Sequence, residues 1–149
     1  MRPQAELHAK KVRYEWWMLN ETCRRITNGV GKSQVETNVY LESFLMHSRI
    51  LCEFLSRARN DTSAPHKTDI VAGDFLDSDE SWKVEKGEYI KQNWIKLQRS
   101  IAHLSYDRLD YEETGNKKWR IDKIYNEVEL MWNTFIRKLP PTQQAWFTE

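Results

Sequence analysis

The amino-acid sequence predicts an all-α fold, an antiparallel four-helix bundle, and three observations support that prediction. The 149 residues include only five glycines and four prolines, whereas a turn-rich β fold would need more of both. Apolar residues recur at alternating spacings of three and four in four separate segments. Seven tryptophans, six tyrosines and five phenylalanines supply large buried areas at few positions, which suits helices with narrow apolar stripes.

The first predicted helix runs from near Pro3 to Thr27. Proline suits a first helical turn, and Asn28-Gly29 is a stop signal because glycine readily adopts the left-handed cap conformation. The apolar seam of this helix consists of Val12, Trp16, Leu19, Cys23, Ile26 and Val30.

The second predicted helix runs from about Gln34 to Arg59, with Ser33 as its N-cap and Glu36 at the capping-box spacing. It is the most apolar of the four helices, so we expect it to lie most centrally. The connection that follows is about 25 residues long, which is unusual in a compact domain. We expect a short helical turn in it over residues 69–75.

The third predicted helix runs from about Lys86 to Asp107 and the fourth from about Trp119 to Arg137, where Pro140-Pro141 ends it. Spacings of three and four along these seams predict helices packed near +20°. The whole chain, residues 1–149, is expected to be one domain with its core in residues 4–137. The tail, residues 138–149, carries Trp146 and Phe147, which we expect to dock onto the bundle.

Composition restricts the classes of function. A net charge of +1 creates no strong overall field toward nucleic acid or membrane. There is no apolar run of membrane-spanning length and no signal peptide, and Cys23 and Cys52 are interpreted as buried thiols. We therefore expect a cytoplasmic protein that does not associate with membranes.

Metal and cofactor chemistry lacks sequence support. A di-metal helical bundle uses Glu-x-x-His, but no glutamate stands three residues before any of the four histidines. Gly31-Lys32-Ser33 resembles the end of a phosphate-binding loop, but Ile26 occupies the position where that motif requires its first glycine. We therefore predict no metal site and no cofactor.

Polar residues on the predicted core helices form the main candidate site. The second helix carries His47 and Arg49 within an apolar stretch, and Arg99 and His103 lie one turn apart on the third. Asp107 and Arg108 follow on the third helix, and Asp74 could reach in from the connection. These residues could form a polar network that fixes helix register, because an unpaired buried charge is costly. They could instead line a cleft in which His103 exchanges protons and an arginine stabilises an anion.

Basic residues also cluster at residues 10–13, 24–25, 57–59 and 117–123, with Tyr14, Trp17 and Trp119 beside them. If these clusters share a face, they could hold phosphates while an aromatic ring stacks on a base. The alternative interpretation is that they are the solvated faces of amphipathic helices.

Three segments carry a resemblance to a known family: residues 41–55, the pair Asp74-Phe75, and the run from His103 to Arg108 with Trp119 after it. Together they resemble a group of small bacterial helical proteins, and through that group the HEPN superfamily. The resemblance implies a bundle of four or five helices, often dimeric, and in many members a metal-independent RNase of a defence or toxin–antitoxin system. The hallmark of that superfamily is an arginine followed by four to six residues and a histidine, whereas only three residues separate Arg99 from His103. The resemblance assigns acid–base catalysis to His103 and anion stabilisation to Arg99.

The sequence therefore leads to two hypotheses. The first is a HEPN-like bundle that binds or cleaves RNA, acting as a homodimer. The alternative is a non-catalytic module that binds a protein partner and in which the His and Arg residues form a structural polar network.

Overall fold

The computed structural model describes residues 5–31, 33–58, 66, 68–76, 82–102 and 118–148, with residues 100–102 described by their backbone alone. Within these ranges every regular element is helical, as the sequence predicts. The described residues form five α-helices and one short 3₁₀ turn: α1 (Ala5–Thr27), α2 (Gln34–Leu55), the turn (Ala72–Phe75), α3 (Glu88–Ala102), α4 (Ile121–Lys138) and α5 (Pro141–Thr148). The tail thus forms a helix that was not predicted.

The break between α1 and α2 has the predicted local causes. Gly29 adopts a positive φ of 62°, and the amides of Gly29 and Val30 donate to the carbonyls of Ile26 and Arg25, which ends α1. The Ser33 hydroxyl accepts a hydrogen bond from the Glu36 amide at 3.2 Å, which caps α2. At its other end α2 stops at Leu55, four residues before the predicted end, with its last turn closed by the Ser56 amide.

Among the described helices, α4 contacts all four others: α1, α2, α3 and α5. α1 lies along α2 and also contacts α5, whereas α2 also contacts α3. The prediction that α2 lies most centrally is therefore not borne out, because α4 contacts four helices and α2 only three.

The aromatic core is centred on Phe135 of α4, which is fully buried. Rings from α2, the 3₁₀ turn, the segment before α3, α4 and α5 surround it with centroid distances of 5.1 to 6.3 Å: Phe54, Phe75, Trp82, Trp132 and Phe147. Because Phe147 belongs to α5, the predicted docking of the tail is confirmed.

Two hydrogen-bonded contacts fix the segment that leads into α3. The Trp82 indole donates to the Leu55 carbonyl at 2.6 Å, which ties this segment to the end of α2. The Glu127 carboxylate of α4 accepts from the amides of Tyr89 and Ile90, each at 2.9 Å, in the first turn of α3. This carboxylate satisfies amides that have no partner within the helix, and its negative charge suits a helix N-terminus.

Two further sequence predictions can be compared with the fold. Cys52 is fully buried, as its interpretation as a buried thiol requires, whereas Cys23 is only partly buried. None of the helices in the described ranges combines the length and apolarity needed to cross a lipid bilayer.

Candidate functional site

An open groove of about 700 Å³ lies on the surface where α1 meets the C-terminal helices α4 and α5. Its walls combine aromatic rings with two cations, and none of the described residues that line it is acidic. The lining residues are Lys10, Arg13, Tyr14, Trp16, Trp17, Asn20, Trp132, Phe147 and Thr148. We call this feature the aromatic groove.

The floor of the aromatic groove is a stack of rings. Trp16 of α1 lies on Trp132 of α4 with centroids 4.8 Å apart and planes only 7° from parallel, and its ring also stacks on Tyr125 at 6.3 Å. Phe147 closes the far side of Trp132 at 6.0 Å. Because each ring is packed against another, the floor is held in one arrangement.

The rim consists of exposed aromatic side chains. Tyr14 and Trp17 are 52% and 57% exposed, and their centroids lie 6.1 Å apart at an angle of 38°. Residues three and four apart share a helix face, so Lys10, Tyr14 and Trp17 lie together, as do Arg13 and Trp17. The rim therefore presents aromatic surface to solvent directly beside positive charge.

The two cations of the groove are weakly engaged. Lys10 lies 3.7 Å from Glu6, but both side chains are more than half exposed, so this pair contributes little. No carboxylate in the described part of the chain pairs with the Arg13 guanidinium. Both cations are therefore accessible to an anionic ligand.

The other predicted basic clusters do not extend this surface. Arg24 and Arg25 both donate to Glu21, and those hydrogen bonds lower the pKa of Glu21 to about 2. Trp119 is partly buried, with the Lys96 ammonium 4.0 Å from its ring centroid. Of the predicted basic residues that the structure describes, only Lys10 and Arg13 therefore line the aromatic groove, beside Tyr14 and Trp17.

The predicted site residue His47 is part of a polar pair, but its partner lies on α1. The Nδ1 atom of His47 is 2.5 Å from Glu15 Oε2, and the His47 side chain is 6% exposed. The Tyr14 ring packs edge-on against the imidazole at 6.1 Å. From the sequence, we expect this pairing to run between the second and third helices instead. The partner comes from α1 because α1 packs against the face of α2 that carries His47.

The remaining predicted site residues do not come together with His47 in the described structure. Arg49 lies about 160° from His47 around α2 and is 3.5 Å from Glu53. Asp74 accepts a hydrogen bond from the Val71 amide at the start of the 3₁₀ turn. Arg99 is exposed on α3. The predicted residues His103, Asp107 and Arg108 lie outside the described residues.

Only part of the aromatic groove could be predicted from the sequence. The sequence indicates Tyr14 and Trp17 with the basic residues beside them, and it places Phe147 in a docking tail, but it gives Trp132 no role. No local sequence signal pairs Trp16 with a ring more than one hundred positions later. In the described ranges no three His, Cys, Asp or Glu side chains form a cluster able to hold a metal ion.

Comparisons with known proteins leave the chain without an assigned family: no family model, no curated protein and no solved structure matches it.

Proposed function

We propose that the protein binds single-stranded RNA in the aromatic groove. Tyr14 and Trp17 stack on unpaired bases, while Lys10 and Arg13 contact the phosphates on either side. One observation supports this above all others: exposed aromatic rings stand beside accessible cations in a groove whose described lining contains no carboxylate. Base stacking on aromatic side chains contributes about 1–3 kcal/mol per base and tolerates any sequence.

A single strand suits this groove better than a duplex does. In a duplex the faces of the bases are covered by their neighbours, so an aromatic ring on a helix surface has no base face to contact. Unpaired bases can turn outward and lie on Tyr14 and Trp17. We therefore expect the affinity for an unpaired strand to exceed the affinity for a hairpin of equal length.

The proposal is tested by titrating a short fluorescein-labelled oligouridine into the protein and following its anisotropy. Trp17→Ala should weaken binding by about 5- to 150-fold, the equivalent of one stacked base. Arg13→Gln should weaken binding and make it less dependent on salt, because each phosphate contact contributes a slope of about −0.7 in log K against log salt for a single strand.

Matched controls come from other helices. Ile95 is 61% exposed on α3, and Arg137 is exposed on α4, so Ile95→Ala removes an exposed apolar side chain and Arg137→Gln an exposed guanidinium, both away from the groove. Both controls should bind like the wild-type protein. Binding that is equally strong in Trp17→Ala and wild type would refute the proposal, as would the absence of any binding by the wild-type protein.

The resemblance to the HEPN superfamily extends this proposal to RNA cleavage. In that form a ribose 2′-hydroxyl attacks the adjacent phosphate without a metal ion, the bond to the 5′-oxygen of the next nucleotide breaks, and the products are a 2′,3′-cyclic phosphate and a free 5′-hydroxyl. His103 is the acid–base group that moves the proton, and Arg99 stabilises the anion. Cleavage of a labelled RNA in EDTA tests it, and equal activity in wild type and His103→Ala would remove the mechanism. The cytoplasm as the compartment and a homodimer as the acting form are further parts of the proposal that rest on the sequence.

A second candidate function is a non-catalytic protein-interaction module. It is favoured by a separate observation, which is that four large apolar side chains of α2 are exposed to solvent.

A further inference from the structure

The outward side of α2 carries a stripe of apolar side chains. Val35, Val39, Met46 and Ile50 are between 40% and 71% exposed. At about 100° per residue these four positions fall within an arc of roughly 60°, and the stripe is about 22 Å long. We call it the outer stripe of α2.

The opposite side of the same helix is the buried one. Phe44, Leu51, Leu55 and Cys52 there are fully buried against the other helices. A surface helix normally has polar residues along the middle of its outer face, whereas a helix that is apolar all round is usually covered on all sides. The described residues cover one side of α2 and leave the centre of the other side apolar. The outer stripe therefore has the composition of a surface that is covered by a partner.

The polar residues beside the outer stripe indicate which partner fits it. Asn38, Glu42, Arg49 and Glu53 all lie along one edge of the stripe, within about 60° of one another. Glu42 and Arg49 stand at equal distances on either side of a point between residues 45 and 46. Asn38 and Glu53 are equidistant from that same point. The edge is therefore self-complementary when it meets a copy of itself running in the opposite direction.

We infer that a second copy of this chain docks on the outer stripe, with its α2 antiparallel to the first and a two-fold axis beside Met46. Such an axis keeps the polar edges of both helices on the same side of the interface, as an isologous contact requires. Glu42 then faces Arg49 of the second copy, and Asn38 faces the second copy's Glu53, each pair occurring twice. Within one chain Arg49 and Glu53 are 3.5 Å apart and only partly buried, so either can take a new partner at little cost.

The length of the outer stripe limits the expected stability of the dimer. One pair of helices in contact over about 22 Å buries less than the 1,200 Å² or more of a typical stable interface. The dimer is therefore expected to dissociate on dilution. This inference does not rest on RNA binding, since the aromatic groove and the outer stripe share no residue.

Sedimentation equilibrium of the full chain over a wide range of concentration tests the inference. The wild-type protein should show a reversible monomer–dimer equilibrium, and Met46→Glu should weaken the dimer at least about tenfold by placing two carboxylates at the axis. Leu130→Glu is the matched control, because Leu130 is 66% exposed on α4 and away from the stripe, and it should associate like wild type.

Charge reversal distinguishes the antiparallel register from any other apolar contact. Glu42→Arg alone and Arg49→Glu alone each place like charges opposite one another and should weaken self-association by on the order of tenfold. Mixing the two variants should restore association as a heterodimer, because both pairs formed by positions 42 and 49 then have opposite charges. Circular dichroism establishes that each variant remains helical.

Three results would overturn the inference. The first is a wild-type protein that stays monomeric at every concentration, which would leave the stripe to a different partner. The second is a dimer that Met46→Glu does not affect. The third is a mixture of the charge variants that associates no better than either variant alone.

Discussion

α1 contacts the rest of the molecule along two seams of different chemistry. Toward α2 the seam contains directional polar contacts, namely Glu15 with His47 at 2.5 Å and Arg25 with the Tyr40 hydroxyl at 3.0 Å. On its other side Trp16 stacks on Trp132, which continues into the aromatic core. We call these the polar seam and the aromatic seam.

The two seams are expected to contribute differently to the stability of the fold and to the register of its helices. Burial of apolar area is non-directional, so the aromatic seam should supply most of the stability and should constrain the register of α1 less than directional hydrogen bonds do. A buried hydrogen-bonded pair adds little net stability, but it becomes costly as soon as one partner is missing. Our hypothesis is that the polar seam selects the alignment of α1 against α2, while the aromatic seam holds the helices together.

The largest effect is expected at the centre of the aromatic core. Phe135→Ala removes the ring on which five other aromatic side chains pack, and should lower the free energy of unfolding by about 3–5 kcal/mol. Urea denaturation followed by circular dichroism measures it. Leu130→Ala, on the same helix but 66% exposed, should change stability by less than about 0.5 kcal/mol. Similar losses in both variants would mean that the aromatic core does not dominate stability.

A smaller effect is expected in the polar seam. His47→Ala leaves the Glu15 carboxylate without its partner and should lower the free energy of unfolding by about 1–3 kcal/mol. A double-mutant cycle with Glu15→Ala should give a coupling energy of about 0.5–3 kcal/mol, which separates the pair from the loss of imidazole packing.

The control for that cycle is the other polar pair of α2. Arg49 and Glu53 are partly exposed and one helical turn apart, so Arg49→Ala should cost only about 0.3–0.5 kcal/mol. Independent effects of His47→Ala and Glu15→Ala, or a larger cost for Arg49→Ala, would contradict the distinction between a buried pair and a surface pair.

The helices were largely predictable because their causes are local. Each signal depends only on residues within a few positions of the place where it acts. These signals are the positive φ of Gly29, the Ser33 cap and the spacing of apolar residues. The sequence did not reveal that the tail forms a helix, although Pro141 is well suited to its first turn. The end of α2 was placed four residues late because nothing in the local sequence stops the helix at Leu55.

The candidate site was less predictable because its causes are distant in sequence. That His47 needs a partner follows from its apolar surroundings, but only the packing of α1 along α2 decides that Glu15 is the partner. In the same way the aromatic groove requires contact between the rings of Trp16 and Trp132, and the periodicity of neither helix predicts that contact. Arg49 was grouped with His47 because both interrupt an apolar stretch, although residues two apart on a helix face different directions.

The last prediction concerns the pH dependence of stability at Tyr125, where the two kinds of contact meet. Its ring stacks on Trp16, while its hydroxyl donates to Asn20 at 2.7 Å and lies 3.2 Å from a Glu129 oxygen. Burial, followed by the charge of Glu129, raises the pKa of Tyr125 from 10.0 to about 12. The folded protein therefore favours the neutral phenol more than the unfolded chain does.

The sign of the pH dependence follows from that shift. Because the folded pKa lies above the unfolded value, the stabilisation from Tyr125 is fully present below pH 10 and is lost as the pH rises toward 12. Unfolding free energies of wild type and Tyr125→Phe, measured in parallel through this window, should differ most below pH 10 and converge above it. The phenylalanine variant keeps the stacked ring, so the difference isolates the hydroxyl. A phenolate difference spectrum centred near pH 10 would show that the aromatic seam does not bury this tyrosine, and would remove the link between the two seams.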